Sequence, residues 1–186
     1  NVTLDQLKEL RAVVSPSLNE HPYTKQLDEY IRLAEFKVGS DMPDFELPDK
    51  DGNMFKFSSL RGKYVLVDFW ASWCGPCRAE IPHLKEAYKE YSDKGVAFFS
   101  VSIDKDNAAW KKAMKEENMP WAQAQAPKAG KDVMKQYQFS GIPYILVLDK
   151  EGKIVAKNLR GKALTDKLEE LLSGKKKSVA MPAMGM

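Results

Sequence analysis

Two cysteines are present, Cys74 and Cys77, separated by Gly75 and Pro76. Two thiols at this spacing can close one disulfide and reopen it, carrying a pair of electrons between themselves. They cannot build the multi-bridge scaffold of a small secreted domain. Nor can they complete a four-ligand zinc site unless His21, His83 or carboxylates join them. The pair follows a run of strand formers, Tyr64–Trp70, and precedes a helical pattern over 75–92, so it sits where a strand turns into a helix. The first cysteine then lies at a helix N-terminus, beside unpaired N–H groups and the positive end of the dipole, which favours a thiolate. The second lies one turn in, close enough to bond to the first but shielded from solvent. Cys74 is expected to attack and Cys77 to resolve the mixed disulfide. Pro76 suits a first helical turn, where its missing N–H would have no partner. The competing reading, a structural pair of thiols or half a zinc site, lacks its remaining ligands.

The elements around the pair read as three segments. Residues 1–36 are expected to be helical: Thr3-Leu-Asp-Gln6 fits a capping box, with Leu4, Leu7, Leu10 and Val14 at helical spacing. After Ser15-Pro16-Ser17, a second helix starts near Pro22 with Leu27, Ile31 and Ala34 on one face. Residues 37–173 alternate strand and helix signals. Phe45–Leu47 and Met54–Phe57 flank an Asp49-Lys-Asp-Gly52 turn, which reads as a hairpin. Tyr64–Trp70, Val96–Ile103 and Ile142–Leu148 read as strands covered on both faces. Helices are expected over Asn107–Glu117, Lys131–Tyr137 and Thr165–Leu172, and a last strand over Lys153–Lys157. Leu164, Leu168, Leu171 and Leu172 should face inward, with Gly174 as the stop. The order β-β-β-α-β-α-(α)-β-β-α makes an α/β fold whose mixed sheet is parallel at first and ends in a hairpin. Residues 174–186 read as a tail without fixed structure.

Composition narrows the functional classes. Apolar residues make up 44% of the 186 residues, enough to bury a core. The longest apolar runs fall far short of the roughly 18 residues of a membrane span. Lys and Arg total 29 against 26 for Asp and Glu, and Lys175-Lys176-Lys177 accounts for the surplus. The rest is neutral, so the basic surplus does not argue for a nucleic-acid face. The chain begins at Asn1 without an initiator Met and reads as a processed or cut product.

The segment Val67-Asp-Phe-Trp-Ala-Ser-Trp-Cys-Gly-Pro-Cys-Arg-Ala-Glu80, followed by Pro82, resembles the active-site segment of the thioredoxin superfamily. The lead-in Val38-Gly-Ser-Asp-Met-Pro-Asp-Phe-Glu-Leu-Pro-Asp-Lys-Asp-Gly52, then Ser58-Ser-Leu-Arg-Gly-Lys-Tyr-Val-Leu-Val67, resembles the extracytoplasmic branch typified by the TlpA and ResA proteins. The resemblance covers about residues 37–173. It implies a thioredoxin fold: a mixed central sheet flanked by helices, preceded by a β-hairpin, with a strand–helix insertion around 107–136. Residues 1–36 would then be a helical N-terminal extension, the end of a region found in relatives, packed against the module. Gly141-Ile-Pro143-Tyr matches the family's cis-proline position.

The resemblance also implies roles. Pro143 in cis would set the residue 142 backbone beside Cys74, ready to pair with an extended client segment. Trp73 would form an apolar rim over the disulfide, with Gly75, Pro76 and Ile142 completing the client surface. Asp68, within a hydrophobic strand, should have its pKa raised by desolvation and could exchange a proton with Cys77. Many relatives use a glutamate three residues after the second cysteine, and this chain has Glu80 there as well. Both remain candidate proton carriers; the alternative for Asp68 is a solvent-facing position, and for Glu80 an exposed residue pairing with Arg78 or Lys85. His83 reads as structural or surface.

The implied activity is a thiol–disulfide oxidoreductase working as a reductase, without a soluble cofactor or metal. Its partners would be a disulfide-containing client, such as a cytochrome c maturation component or a mispaired secreted protein, and a membrane or soluble thiol donor. Its place would be periplasmic or otherwise extracytoplasmic, with membrane tethering through an absent N-terminal part. A peroxiredoxin-like peroxidase is the first alternative, but Trp70-Ala-Ser-Trp-Cys74 lacks the Pro of a peroxide-binding pattern. A Cu(I) chaperone using Cys74, Cys77 and the tail thioethers Met181, Met184 and Met186 is the second.

Overall fold

The computed structural model describes residues 2–174. In chain order these form α1 (Leu4–Ala12), α2 (Pro22–Glu35), β1 (Glu46–Pro48), β2 (Met54–Lys56), β3 (Tyr64–Trp70) and α3 (Gly75–Tyr91). There follow β4 (Val96–Ser102), α4 (Asn107–Glu117), β5 (Ala122–Gln125), α5 (Lys131–Gln136), β6 (Tyr144–Leu148), β7 (Ile154–Lys157) and α6 (Gly161–Ser173). The tail with Lys175–Lys177, Met181, Met184 and Met186 lies outside the described residues, as does the side chain of Ala34.

β3 is the centre of a five-stranded sheet in the order β5-β4-β3-β6-β7. β4 runs parallel to β3 and β5 parallel to β4, while β6 and β7 are antiparallel to their neighbours. Every residue of β3 after Tyr64 is buried, which is why its sequence reads as an almost unbroken apolar run. Alternation sends Val65, Val67 and Phe69 to one face and Leu66 to the other. Asp68 therefore shares its face with Leu66, the side where Leu84 and Ala87 of α3 and Leu164 and Leu168 of α6 pack. The opposite face is aromatic: Phe45, Phe57, Phe69, Phe99 and Tyr137 cluster there, with Phe45 stacked on Phe57 at 4.9 Å.

The hairpin β1–β2 forms a separate two-stranded sheet. Asp49 closes its turn by accepting the backbone N–H groups of Asp51 (2.8 Å) and Asn53 (2.9 Å).

Three sequence expectations need correction. The local pattern alone places no strand between α4 and α5; β5 lies there as the sheet's edge, within the strand–helix insertion that the resemblance implies. Its Ala-Gln-Ala-Gln sequence gives little apolar signal, and Ala124 alone is fully buried. β6 starts at Tyr144 rather than Ile142, because Pro143 has no N–H to enter the ladder. α6 starts at Gly161, four residues earlier than its leucine pattern suggests, because its first turn is recruited by the site described below.

The capping box of α1 is present: Gln6 N–H donates to Thr3 Oγ1 (3.2 Å) and Thr3 N–H to Gln6 Oε1 (2.9 Å). α1 packs along α2, tied by Arg11 donating to Asp28 (2.5 Å) and Asn19 (2.9 Å). It buries no residue, and Leu10 remains 53% exposed. The helical pair meets the rest of the chain through the end of α2. Phe36 is buried against Tyr137, Gln138 donates to the Arg32 carbonyl (2.5 Å), and Arg32 donates to the Lys135 carbonyl. No helix among the described residues is long and apolar enough to cross a membrane.

Candidate active site

β3 delivers the chain to a short loop, Ala71-Ser-Trp73, and α3 begins at Gly75 with Cys74 as its N-cap. The cysteines are joined in a disulfide of 2.06 Å. Cys74 Sγ also accepts the backbone N–H of Cys77 at 3.2 Å, so a helix-terminal donor points at the sulfur that the sequence marks for attack. Both cysteines are largely buried, Cys74 5% and Cys77 2% exposed. Shielding alone thus barely separates them. What does separate them is a cleft of about 430 Å³ that Cys74 lines and Cys77 does not.

The cleft also takes Trp73, Gly75, Pro76 and Ile142, with Met134 from α5 and Ile103 from the end of β4. Trp73 stands 68% exposed on its rim. The Ile142–Pro143 peptide is cis, and the Ile142 carbonyl oxygen lies 3.7 Å from Cys74 Sγ. With the sulfur in a disulfide this is a contact without a hydrogen. Arg160 ties the same loop, donating to the Pro143 carbonyl at 2.9 Å.

Asp68 does not face solvent: it is 2% exposed on the inner sheet. Burial pushes its carboxyl up from the usual carboxylate range to about 7; a hydrogen bond from Ser100 opposes the rise, and the negative charge of Glu80 adds to it. Glu80 is likewise buried, which corrects the reading of an exposed helix residue paired with Arg78 or Lys85. Its Oε1 accepts the backbone N–H of Gly161, in the first turn of α6, at 2.7 Å. Its Oε2 lies 3.3 Å from His83 Nδ1, and His83 is otherwise mostly exposed. Arg78 instead turns to α4, where it donates to Glu117 and Glu116 at 2.6 Å each.

Two groups carry no signal in the sequence. Ser100, opposite Asp68 on β4, donates to Asp68 Oδ2 (3.1 Å) and receives the indole N–H of Trp121 (2.8 Å). Asp104, just past β4, holds the loop before Cys74 through Ser72. Both depend on strand register across the sheet, which no local pattern encodes. Among the described residues no group of three His, Cys, Asp or Glu side chains is placed to hold a metal ion.

Residues 37–172 match the family model described as Redoxin. A curated relative, the thiol-disulfide oxidoreductase ResA of Bacillus thuringiensis subsp. konkukian (strain 97-27), is 29% identical over 77% of this chain and 81% of its own length. The thioredoxin domain of a thiol-disulfide oxidoreductase from Bacteroides vulgatus superimposes with a TM-score of 0.70 at 41% identity, covering 73% of this chain and 98% of that one. A thiol:disulfide interchange protein from Bacteroides sp. gives a TM-score of 0.70 at 39% identity, covering 78% and 97%. With a disulfide capping a helix at the end of a central strand, and with these likenesses, the chain belongs to the Redoxin family and is a ResA-like thiol–disulfide oxidoreductase of thioredoxin fold.

Proposed function

We propose that the enzyme works as a protein-disulfide reductase. Reduced Cys74, held as a thiolate by the Cys77 N–H and the positive end of α3, attacks one sulfur of a client disulfide. A Cys74–client bond forms, the client bond breaks, and the released client sulfur takes a proton. Cys77 then passes its proton to the Asp68 carboxylate and attacks Cys74. The Cys74–Cys77 bond forms, the mixed disulfide breaks, and the second client sulfur leaves and is protonated. Two electrons pass to the client, and the dithiol supplies both, so no bound cofactor or metal enters the cycle.

Asp68 is the proton carrier in this reading because its carboxyl is held near neutrality, where it can both take and give a proton. Glu80 is the positioning partner, since its two oxygens are engaged by Gly161 and His83. Trp73, Gly75, Pro76, Ile142 and Pro143 form the client surface, with the residue 142 backbone pairing an extended segment. Clients are proteins that carry disulfides outside the cytoplasm, cytochrome c maturation components among them. A membrane or soluble thiol donor re-reduces the enzyme, which acts in the periplasm or another extracytoplasmic space, tethered through an N-terminal segment.

The observation that carries the reading is the position of Cys74 Sγ, which accepts a helix-terminal N–H at 3.2 Å while lining the cleft beside Ile142. Trapping with Cys77→Ser tests it. The variant should accumulate client proteins as mixed disulfides on Cys74, and the wild type should reduce insulin. Oxidation of a reduced, unfolded substrate with no insulin reduction would reverse the proposed direction.

A further inference from the structure

Ser100 is fully buried between two polar groups, the indole of Trp121 and the carboxylate of Asp68. With Asp68 ionised, the chemistry of the three fixes where their hydrogens lie. An indole Nε1 only donates, and a serine hydroxyl has a single hydrogen. At 2.8 Å from Trp121 Nε1, Ser100 Oγ must accept there. Its own hydrogen is then left for Asp68 Oδ2, at 3.1 Å.

We propose that Ser100 and Trp121 are positioning residues for the proton transfer at Asp68: together they keep Oδ2 occupied as an acceptor, so that the transferred proton rides on Oδ1. This rests on the reading of Asp68 as the carrier for Cys77. Without the pair, either carboxyl oxygen could take the proton, and part of the protonated population would present the wrong one. The pair also stabilises the carboxylate, because a donated hydrogen bond favours the charged form.

The surroundings of Asp68 supply few competing influences. Across β6 its partner is Ile145, and its neighbours on β3 are Val67 and Phe69. From α3 comes Glu80, whose charge acts on Asp68 and which is tied in turn to His83 and to the Gly161 N–H of α6. β4 contributes Ser100, and the segment between α4 and β5 contributes Trp121. The hydroxyl is thus the group that opposes both burial and Glu80.

The test is a direct titration of Asp68 by carbon-13 NMR of its side-chain carboxyl in the oxidised protein, for wild type, Ser100→Ala and Trp121→Phe. Loss of the hydroxyl donor should raise the Asp68 midpoint by about one pH unit. Trp121→Phe keeps an aromatic ring but not the N–H, and should move the midpoint in the same direction by less. It also keeps the proposal testable if Ser100→Ala folds poorly. An unchanged midpoint in a folded variant of either kind would overturn the proposal. The carrier reading is checked separately by the pH profile of insulin reduction in Asp68→Asn. If that profile matches wild type, the carrier reading fails, while the titration still reports whether Ser100 and Trp121 act on Asp68.

Discussion

Asp104 takes both polar hydrogens of Ser72: its Oδ2 accepts the backbone N–H at 2.9 Å and its Oδ1 the hydroxyl at 2.5 Å. Ser102 Oγ donates to the same carboxylate at 2.6 Å and accepts the Asp104 N–H at 2.9 Å. The loop that carries Trp73 and Cys74 is in this way bolted to the end of β4. Asp104→Ala would leave the Ser72 N–H and two hydroxyls without their acceptor. The expected loss is about 2–4 kcal/mol in a urea titration, with a lower rate of insulin reduction at pH 7. A variant as stable as wild type would mean that the loop is held by other contacts.

Asp68→Asn separates stability from activity. The folded carboxyl titrates near 7, well above its ordinary 3.8, so the folded protein binds more protons than the unfolded chain between these values. Stability contributed by the protonated form is therefore complete below about pH 4 and is lost as pH rises through about 7. Asparagine removes this dependence. The variant should gain little stability at pH 4 and up to about 4 kcal/mol at pH 8, an upper limit set by ~1.36 kcal/mol for each pH unit between the folded and unfolded midpoints. Its rate of insulin reduction should fall most above about pH 7, where the wild-type carboxyl is ionised and can take a proton, and most clearly in the step that releases client from Cys74.

Trp73→Ala tests the rim. The side chain is 68% exposed, so its removal should change stability by no more than about 0.5 kcal/mol. Affinity for client proteins should fall instead, seen as a higher KM for insulin with the equilibrium redox potential unchanged. A large stability loss would show that Trp73 supports the fold rather than the client surface.

Gly130→Ala reaches the cleft from below. Gly130 has φ +71°, and a Cβ there would stand 2.3 Å from Ile103 Cγ2. Ile103 lines the cleft beside Cys74, so relieving the clash by shifting Ile103 would move a cleft wall, in addition to the strain of the positive φ. The expected result is a loss of about 1–3 kcal/mol together with altered reactivity of Cys74 toward a bulky thiol reagent. Unchanged Cys74 reactivity would show that Ile103 adjusts without disturbing the cleft.

The parts of the molecule legible in the sequence are those whose cause is local. β3 and α4 lie where their patterns put them, because continuous burial and an Asp106 N-cap are each written over a few adjacent residues. The cysteine pair, its helix terminus and the buried carboxylate on the strand before it belong to the same short stretch. Glu80 is legible as a candidate but its setting is not, because its partner Gly161 is 81 residues away. Ser100, Trp121 and Asp104 have no local signature at all. Each matters only through the register that aligns Asp68 with Ser100 and brings Ser72 to the end of β4. β5 is hidden for a different reason: an edge strand that buries one small side chain leaves almost no apolar pattern.

Glu80 reaches its backbone partner only through the first turn of the last helix. Synthesis runs from the N-terminus, so both cysteines leave the ribosome long before Gly161 does. A nascent chain thus displays its thiols while the carboxylate of Glu80 still has no amide to bind and Ile142 has yet to arrive. The chemistry of the pair precedes its tuning. Until the first turn of α6 is in place, the pair lacks the amide that holds Glu80.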